Sequence, residues 1–535
     1  MTQNDKSAAV IALLGILLGA MLTVVIYSTV AYFSSDRRMR KADYSAWRKL
    51  NLILDEVNDN YVDSVDVKKV TDAAIVASLA ALDPHSVYLP PVQLQESETE
   101  LAGNFDGIGI QFNVPNDTAI VLEVIPGGPS EKVGLAPGDR ILKVDSTNIA
   151  GVKFPQDSIV RRIKGKAGTE VNILVKRGEE TIPFRIKRGK IPVHCVDASF
   201  MVNDTTGYVR LSKFSRNTFD EVSQAVKPLV DNGMKRLIFD LRDNSGGYMD
   251  QALLLSDMFL DKDDCIVYIQ GRHRERHDYN ADGKGILKDM PLSVLINENS
   301  ASSSEIFAGA IQDNDRGLIV GRRSYGKGLV QEPIYFTDGS GVRLTVARFY
   351  TPSGRCIQKP YSPDYQYDIY KRYQDGEMFE KDSIKVDKHE VYHTVGGRTV
   401  YGGGGIVPDL FVPLDTSSVS QFYLACSKKA VQMRFASEMF DRYTEKLSSI
   451  DNYDDLEAFL DGLDISSCFL SYAARNGIRP AAGEWQETQS YMLPQLRALV
   501  GRYSKLGDNA FYKMYIGIDN VVEAAVNASS VVIIP

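Results

Sequence analysis

Two short apolar runs, each ending in a row of very small residues, constrain this chain more than any other feature of its sequence. Leu237-Ile238-Phe239-Asp240-Leu241-Arg242 leads into Asp243-Asn244-Ser245-Gly246-Gly247, and Leu292-Ser293-Val294-Leu295-Ile296 leads into the serine row Ser300-Ala301-Ser302-Ser303-Ser304. Apolar runs of this length bounded by turn formers read as buried strands. The helical spacing that follows each one predicts a strand, a tight turn and a helix in succession, with helices over 252–259 and from Ser303 to about Gln312. The second helix would carry Ile306, Phe307 and Ala310 on its apolar side. Upstream, Gly207-Tyr208-Val209-Arg210-Leu211 reads as a strand and 218–230 as a helix, so residues 191–413 are expected to form an α/β core, a mixed sheet with flanking helices.

The serine row has a chemical reading and a plain one. A helix start sets a side-chain oxygen beside backbone N–H groups that have no partner, which suits a nucleophile whose intermediate is negatively charged. Ser is also the usual residue at a helix N-cap, with no chemistry attached. Downstream stands Ser324-Tyr325-Gly326-Lys327-Gly328; a lysine between glycines is, by itself, ordinarily a solvated surface residue.

The strings S-A-S-S-S-E-I-F-A-G-A-I-Q-D at 300–313 and V-G-R-R-S-Y-G-K-G-L-V-Q at 320–331 resemble the signature of the C-terminal processing, or tail-specific, serine proteases. The resemblance implies a core of the ClpP/crotonase type, with Ser302 as nucleophile, Lys327 as general base, Gln331 orienting the lysine, and Asp313 as a residue that some members need. A lysine acts as a base only when neutral, so its pKa of about 10.4 has to fall by several units, which burial in an apolar pocket achieves. Lys327 is therefore expected to be desolvated beside Ser302. The D-L-R-D-N-S-G-G string at 240–247 resembles the family's glycine turn, which implies an oxyanion hole built from Gly246 or Gly247 together with Ser303. L-D-P-H-S at 82–86, T-V-A-R-F-Y-T-P-S-G at 345–354 and R-T-V-Y-G-G-G-G-I-V-P-D at 398–409 are similar to further family segments, so the likeness extends over about 41–410.

Residues 101–190 resemble a PDZ domain, with short alternating strands around I-P-G-G-P-S at 125–130 and A-P-G-D-R-I at 136–141. Gly107-Ile108-Gly109-Ile110 stands where such domains hold a peptide's terminal carboxylate. Successive N–H groups beside glycines form an anion-binding nest, and an exposed strand edge pairs with an extended peptide. Ile108, Ile110 and Ile159 are the expected apolar pocket. Residues 41–100 read as amphipathic helices suited to packing on the body or to a contact with a second copy (a homodimer) or an adaptor protein, with His85 structural. Beyond 414 the chain reads as helical to residue 535, with no motif that carries chemistry.

The first forty residues read as a membrane anchor. Residues 7–35 hold no charge and 8–33 are strongly apolar, long enough to span a bilayer as a helix, without a small-x-small cleavage site behind it. Lys6 stands on one side and Arg37, Arg38, Arg40 and Lys41 on the other, which by the positive-inside rule places the body in the cytoplasm. The family resemblance implies the reverse, an extracytoplasmic (periplasmic) protease, and that is the expectation adopted.

A chain of 535 residues exceeds a single core, and its net charge of −8 without a basic face argues against nucleic acid as a partner. The five cysteines are scattered without metal or disulfide spacing. Asp278, Asn280, Asp282, Gly283 and Asp289 imitate a calcium loop, but strand-like flanks favour a hairpin. His389-Glu390-Val391-Tyr392-His393 matches H-E-x-x-H, yet a zinc site needs those histidines on one helix face, and β-branched and aromatic residues lead here into Gly396-Gly397. No cofactor or metal is expected. The expectation is a membrane-anchored serine endopeptidase whose PDZ domain captures protein or peptide substrates by their free C-termini. The alternatives are a non-catalytic PDZ scaffold at the membrane and, behind it, a zinc metalloprotease.

Overall fold

The structure, a computed structural model, describes residues 44–114 and 117–528 together with Met21 and Thr23. The expected anchor over 8–33 lies outside the described residues apart from those two; among the described residues no helix is long and apolar enough to cross a membrane. The chain divides into two compact units between Leu82 and Asp83.

The first unit holds the helices Tyr44–Asn60 and Val67–Ala80, the second started by Asp66, whose side chain accepts the Lys69 N–H at 3.1 Å. No side chain of Val67–Ala80 is buried, and Leu50, Leu52, Ile53, Tyr61 and Val62 stand exposed. Residues 83–100, expected with these helices, belong instead to the second unit. Val87–Leu89 pairs antiparallel with the first residues of Gly341–Tyr350, because Asp83 accepts from Ser86 N, Ser86 Oγ and Thr345 Oγ1 and so pins the turn at 83–86 to that long strand.

The second unit is built on a six-stranded sheet in the order Val196–Met201, Thr206–Leu211, Arg236–Asp240, Leu292–Ile296, Leu318–Gly321, Leu410–Phe411. The first pair is antiparallel and the rest are parallel, which makes the sheet mixed as expected. Its central strands are apolar at consecutive positions because both faces are covered. Leu237, Phe239, Val294, Ile296 and Ile319 face one core with the helices Thr218–Asp231, Met249–Asp257 and Ser303–Asp313; Ile238, Leu295 and Val320 face the other. The Ser303–Asp313 helix is buried along its whole length and not only on one stripe.

The second face is closed by the tail. Val521, Val522 and Ala525 of the helix Asn520–Ala528 pack on Tyr208, Ile238, Leu295 and Val320. The six helices between Gln421 and Tyr515 have an apolar core of their own, including Phe435, Phe469 and Trp485. The tail thus completes the sheet, a role its sequence does not signal.

The PDZ domain carries the sheet order Ile110–Asn113, Ala119–Val124, Arg140–Val144, Glu170–Arg177, Glu180–Lys187. It is attached through the ribbon of Asn104–Gly107 with Gly189–Pro192, which makes it an insertion between the Val87–Leu89 strand and the six-stranded sheet. The covering of the sheet's second face predicts that Val522→Asp, which buries an unpaired carboxylate, lowers the thermal midpoint by about 10 °C, and Val522→Ala by a few degrees. Calorimetry reads both; unchanged midpoints would mean that the tail is not part of this core.

Candidate active site

The parallel strands place three loops at one end of the sheet, where ligands of open α/β folds gather. The loop after Leu292–Ile296 turns sharply at Ser302, which takes φ 56° and ψ −113°, a positive φ that a residue with a side chain holds only under strain. Ser302 is the N-cap residue of the helix Ser303–Asp313 and shares a capping box with Glu305. Glu305 holds its backbone by accepting the Ser302 N–H at 2.9 Å. Ser302 also lines a cavity.

The loop after Arg236–Asp240 lies against this turn. Asn244, fully buried, binds Leu211 O through Nδ2 at 2.9 Å and accepts the Gly246 N–H at 2.9 Å through Oδ1. Its carbonyl accepts from Ala301 N at 3.0 Å and Ser304 Oγ at 2.9 Å, which joins the glycine turn to the serine turn. Gly246, at φ 96°, approaches so closely that a Cβ there would stand 2.8 Å from the Ser302 Cβ. Of the three residues expected to supply oxyanion donors, Gly246 has its N–H engaged by Asn244 Oδ1. The N–H groups of Gly247 and Ser303 have no acceptor among the described residues, and both residues line the cavity that holds Ser302.

The third loop, after Leu318–Gly321, carries Lys327. Glu305 accepts Ser324 Oγ at 2.5 Å, Gly326 N at 2.7 Å and Lys327 N at 2.8 Å, so one fully buried carboxylate anchors both the serine turn and the lysine loop. Burial pushes the Glu305 carboxyl up, against the pull of its donors. Gly328 N donates to Gln358 Oε1 at 3.0 Å on the far side of the lysine.

Lys327 and Ser302 line one cavity of about 630 Å³, walled by apolar residues such as Leu89, Leu94, Ile306, Val342 and Phe349. Burial first, and the neighbouring Arg343 guanidinium second, lower the Lys327 pKa below the ordinary lysine value. The expected desolvation is therefore present, but no hydrogen bond joins Ser302 Oγ to Lys327 Nζ. Gln331 lines the same cavity and donates its Nε2 to His85 O at 2.6 Å, without a bond to the lysine.

Asp313 is not part of this cavity. It sits eleven residues along the helix from Ser302, roughly 16 Å at the usual rise. There it forms a fully buried pair with Arg355 at 2.7 Å and accepts Ser353 Oγ at 2.6 Å, which fixes the helix end and the segment after Gly341–Tyr350. The zinc alternative fails on geometry, since Val391–His393 is a strand paired with Thr399–Tyr401 and no helix gathers His389 and His393. The acidic stretch that imitates a calcium loop begins inside the hairpin of Cys265–Gly271 with Arg274–Asn280.

In the PDZ domain the N–H groups of Ile108 and Gly109 have no acceptor among the described residues, and Ile110–Asn113 is a sheet edge. Gly107 belongs to the strand before that loop, paired with Gly189. Ile108 and Ile159 are 1% and 0% exposed inside the domain's own core, so of the expected pocket residues only Ile110 is partly accessible. The domain also rests on the tail, where Gly138 meets Phe440 and Arg140 pairs with Asp441.

The model of peptidase family S41 matches residues 205–367, and that of the PDZ domain residues 107–187. A probable CtpA-like serine protease of Staphylococcus aureus (strain COL) is 34% identical over 364 residues, covering 67% of this chain and 73% of that protein. The chain belongs to the C-terminal processing serine peptidases. A second probable CtpA-like serine protease, of Staphylococcus haemolyticus (strain JCSC1435), is 30% identical over 392 residues, covering 72% of this chain and 76% of its own length. Among solved structures, the photosystem II D1 C-terminal processing protease is 28% identical, covering 67% of this chain and 91% of that one, with a TM-score of 0.36. This chain is thus a serine peptidase with a PDZ domain.

Glu305 is the residue that reading the sequence passed over, although S-x-x-E at 302–305 has the spacing of a capping box. Each of its oxygens accepts two donors, so a glutamine there turns its NH2 against two donors in either orientation. Glu305→Gln is expected to cut kcat by about 100-fold and to lower the thermal midpoint by several degrees, as unsatisfied buried donors do. A variant with wild-type kcat and midpoint would contradict the junction.

His85 supplies a second prediction. Its ring bonds Tyr365 Oη at 2.6 Å, and burial with the neighbouring Lys327 lowers its pKa to about 4. The unfolded chain takes up this proton near the ordinary value of 6.5, so stability is lost as the pH falls from about 6.5 to about 4. In His85→Asn the drop in midpoint between pH 7 and pH 5 is expected to be smaller than in the wild type; an equal drop would contradict the assignment.

Proposed function

We propose that this serine peptidase works through a Ser302/Lys327 dyad. The observation that carries the reading is convergence: Glu305 holds the serine turn and the lysine loop together, so Ser302 and a largely buried amine line one cavity beside two N–H groups without acceptors among the described residues. In the reaction, neutral Lys327 takes the proton of Ser302 Oγ as the oxygen attacks the substrate carbonyl carbon. The resulting oxyanion is received by the N–H groups of Gly247 and Ser303, each such donor being worth about 100- to 1,000-fold in rate. The lysine ammonium then gives its proton to the leaving amine; Lys327, neutral again, takes a proton from a water that attacks the acyl carbon, and returns it to Ser302 Oγ as the carboxylic acid leaves. Gln331, whose NH2 is committed to His85 O, keeps its amide oxygen to orient the lysine.

In this reading the PDZ nest at Ile108 and Gly109 captures the free C-terminal carboxylate of an extended polypeptide, which pairs with the edge strand Ile110–Asn113. Capture also gates the site. The apolar stretch 8–33 serves as a retained anchor with the protease body on the extracytoplasmic side. The exposed apolar residues of Tyr44–Asn60 and Val67–Ala80 offer a contact for a second copy or an adaptor.

Hydrolysis of casein and of a peptide with a free C-terminus by the full chain tests the reading. Ser302→Ala and Lys327→Met are each expected to lower kcat/KM by about 1,000-fold or more, and amidating the peptide's C-terminus to raise KM with little change in kcat. Retained proteolysis in Lys327→Met would overturn the dyad, and indifference to amidation would overturn tail capture.

A further inference from the structure

Besides Lys327 the cavity is lined by two cations that the mechanism above does not use, Lys213 and Arg343, and of these Arg343 is the one that acts on Lys327. Arg343 lies on the long strand Gly341–Tyr350, opposite Val87 on one side and Pro333 on the other, and lines the cavity with Lys327. Its guanidinium donates to Ser97 Oγ at 2.6 Å, a neutral partner on the helix Pro91–Leu101. Among the described residues neither Arg343 nor Lys327 has a carboxylate at ion-pairing distance. Half-buried arginines normally have one, because the charge is costly to bring out of water.

We propose that Arg343 is a positioning residue for the lysine: a permanent cation, held over the cavity by a neutral hydroxyl, that keeps a proton off Lys327 Nζ. The proposal rests on the dyad reading and goes beyond it. The surrounding charges are arranged to let this cation act. Lys327 is faced by Glu305 from the nucleophile helix, by Asp83 and His85 from the turn at 83–86, and by Arg343. Both carboxylates in that set are saturated. Glu305 accepts four donors, and Asp83 accepts His85 N at 2.8 Å, Ser86 N and Ser86 Oγ at 2.7 Å, and Thr345 Oγ1 at 3.3 Å.

His85 is held neutral and adds no charge at neutral pH. Around Arg343 stand Ser97, Glu98 and Tyr335, and the Glu98 carboxylate is engaged by the Tyr335 hydroxyl. Of the charges that act on the amine, the guanidinium is therefore the one left without an opposite charge at pairing distance among the described residues. Like charges at short range favour the neutral form of the one that can lose its proton, and an arginine cannot.

The test is the pH profile of kcat/KM for a peptide substrate, measured on the full chain between pH 6 and pH 10. In Arg343→Met the rising limb is expected to move up by about one pH unit, with about a tenfold loss at neutral pH that is recovered at alkaline pH. Arg343→Lys keeps the wild-type limb. Ser97→Asp, which supplies the missing carboxylate, moves the limb in the same direction as Arg343→Met, and Ser97→Asn leaves it in place. If Arg343→Met does not fold, the two Ser97 variants decide.

An unshifted limb in Arg343→Met and Ser97→Asp, or a loss equal at every pH, overturns the proposal. Lys327→Met separates this from the dyad itself. An inactive Lys327→Met beside unshifted Arg343 and Ser97 variants sinks only the role of Arg343, whereas an active Lys327→Met sinks the dyad.

Discussion

The site depends on the four hydrogen bonds that converge on the Glu305 carboxylate. They come from two loops that leave neighbouring parallel strands, the Ser302 turn and the stretch Ser324 to Lys327. A buried carboxylate costs several kcal/mol unless its lone pairs are filled, and here each oxygen accepts two donors. The same bonds hold Ser302 at its positive φ through its N–H and fix the backbone of Lys327, and both side chains line one cavity.

A second buried electrostatic layer supports the glycine turn from behind. Asp240, at the end of its strand, is fully buried and accepts from Tyr208 Oη at 2.6 Å, from Arg210 at 3.1 Å and from Arg242, whose guanidinium continues to Asp519 at 2.7 Å. The two arginines hold the Asp240 carboxyl well below the usual carboxylate range. Since Asp519 immediately precedes the helix Asn520–Ala528, this network ties the tail that closes the sheet to the turn that presents Gly247. The C-terminal region therefore supports the catalytic end of the sheet both by apolar packing and through this ion network.

How much of this was legible in the sequence follows from how local each feature is. The strands at 237–241 and 292–296, the helix from Ser303 and the PDZ strands are set by short periodic patterns, and they stand where the patterns put them. Ser302, Lys327, Gln331, Gly247 and Ser303 were readable because their motifs are contiguous, and the structure brings all five to one cavity. Asp313 lies outside the cavity, because a motif records nearness along the chain whereas a helix carries its two ends apart. Gly246 and Gly247 are indistinguishable as letters; only the Asn244 side chain, folded back onto one N–H, separates them. Glu305, Arg343 and the role of the tail were hidden for a related reason. Each acts on residues brought near by the sheet, and no local pattern reports a partner that is far away in the chain.

The proposed dyad turns on an amine whose hold on its proton is weakened by burial and by the Arg343 guanidinium, beside carboxylates that are already occupied. The most direct measurement is the titration of the Lys327 ε-ammonium by nuclear magnetic resonance, in the full chain labelled at lysine ε-nitrogen, with the resonance assigned through Lys327→Met. The account predicts a midpoint well below the ordinary lysine value of about 10.4. A midpoint at or above that value would contradict it.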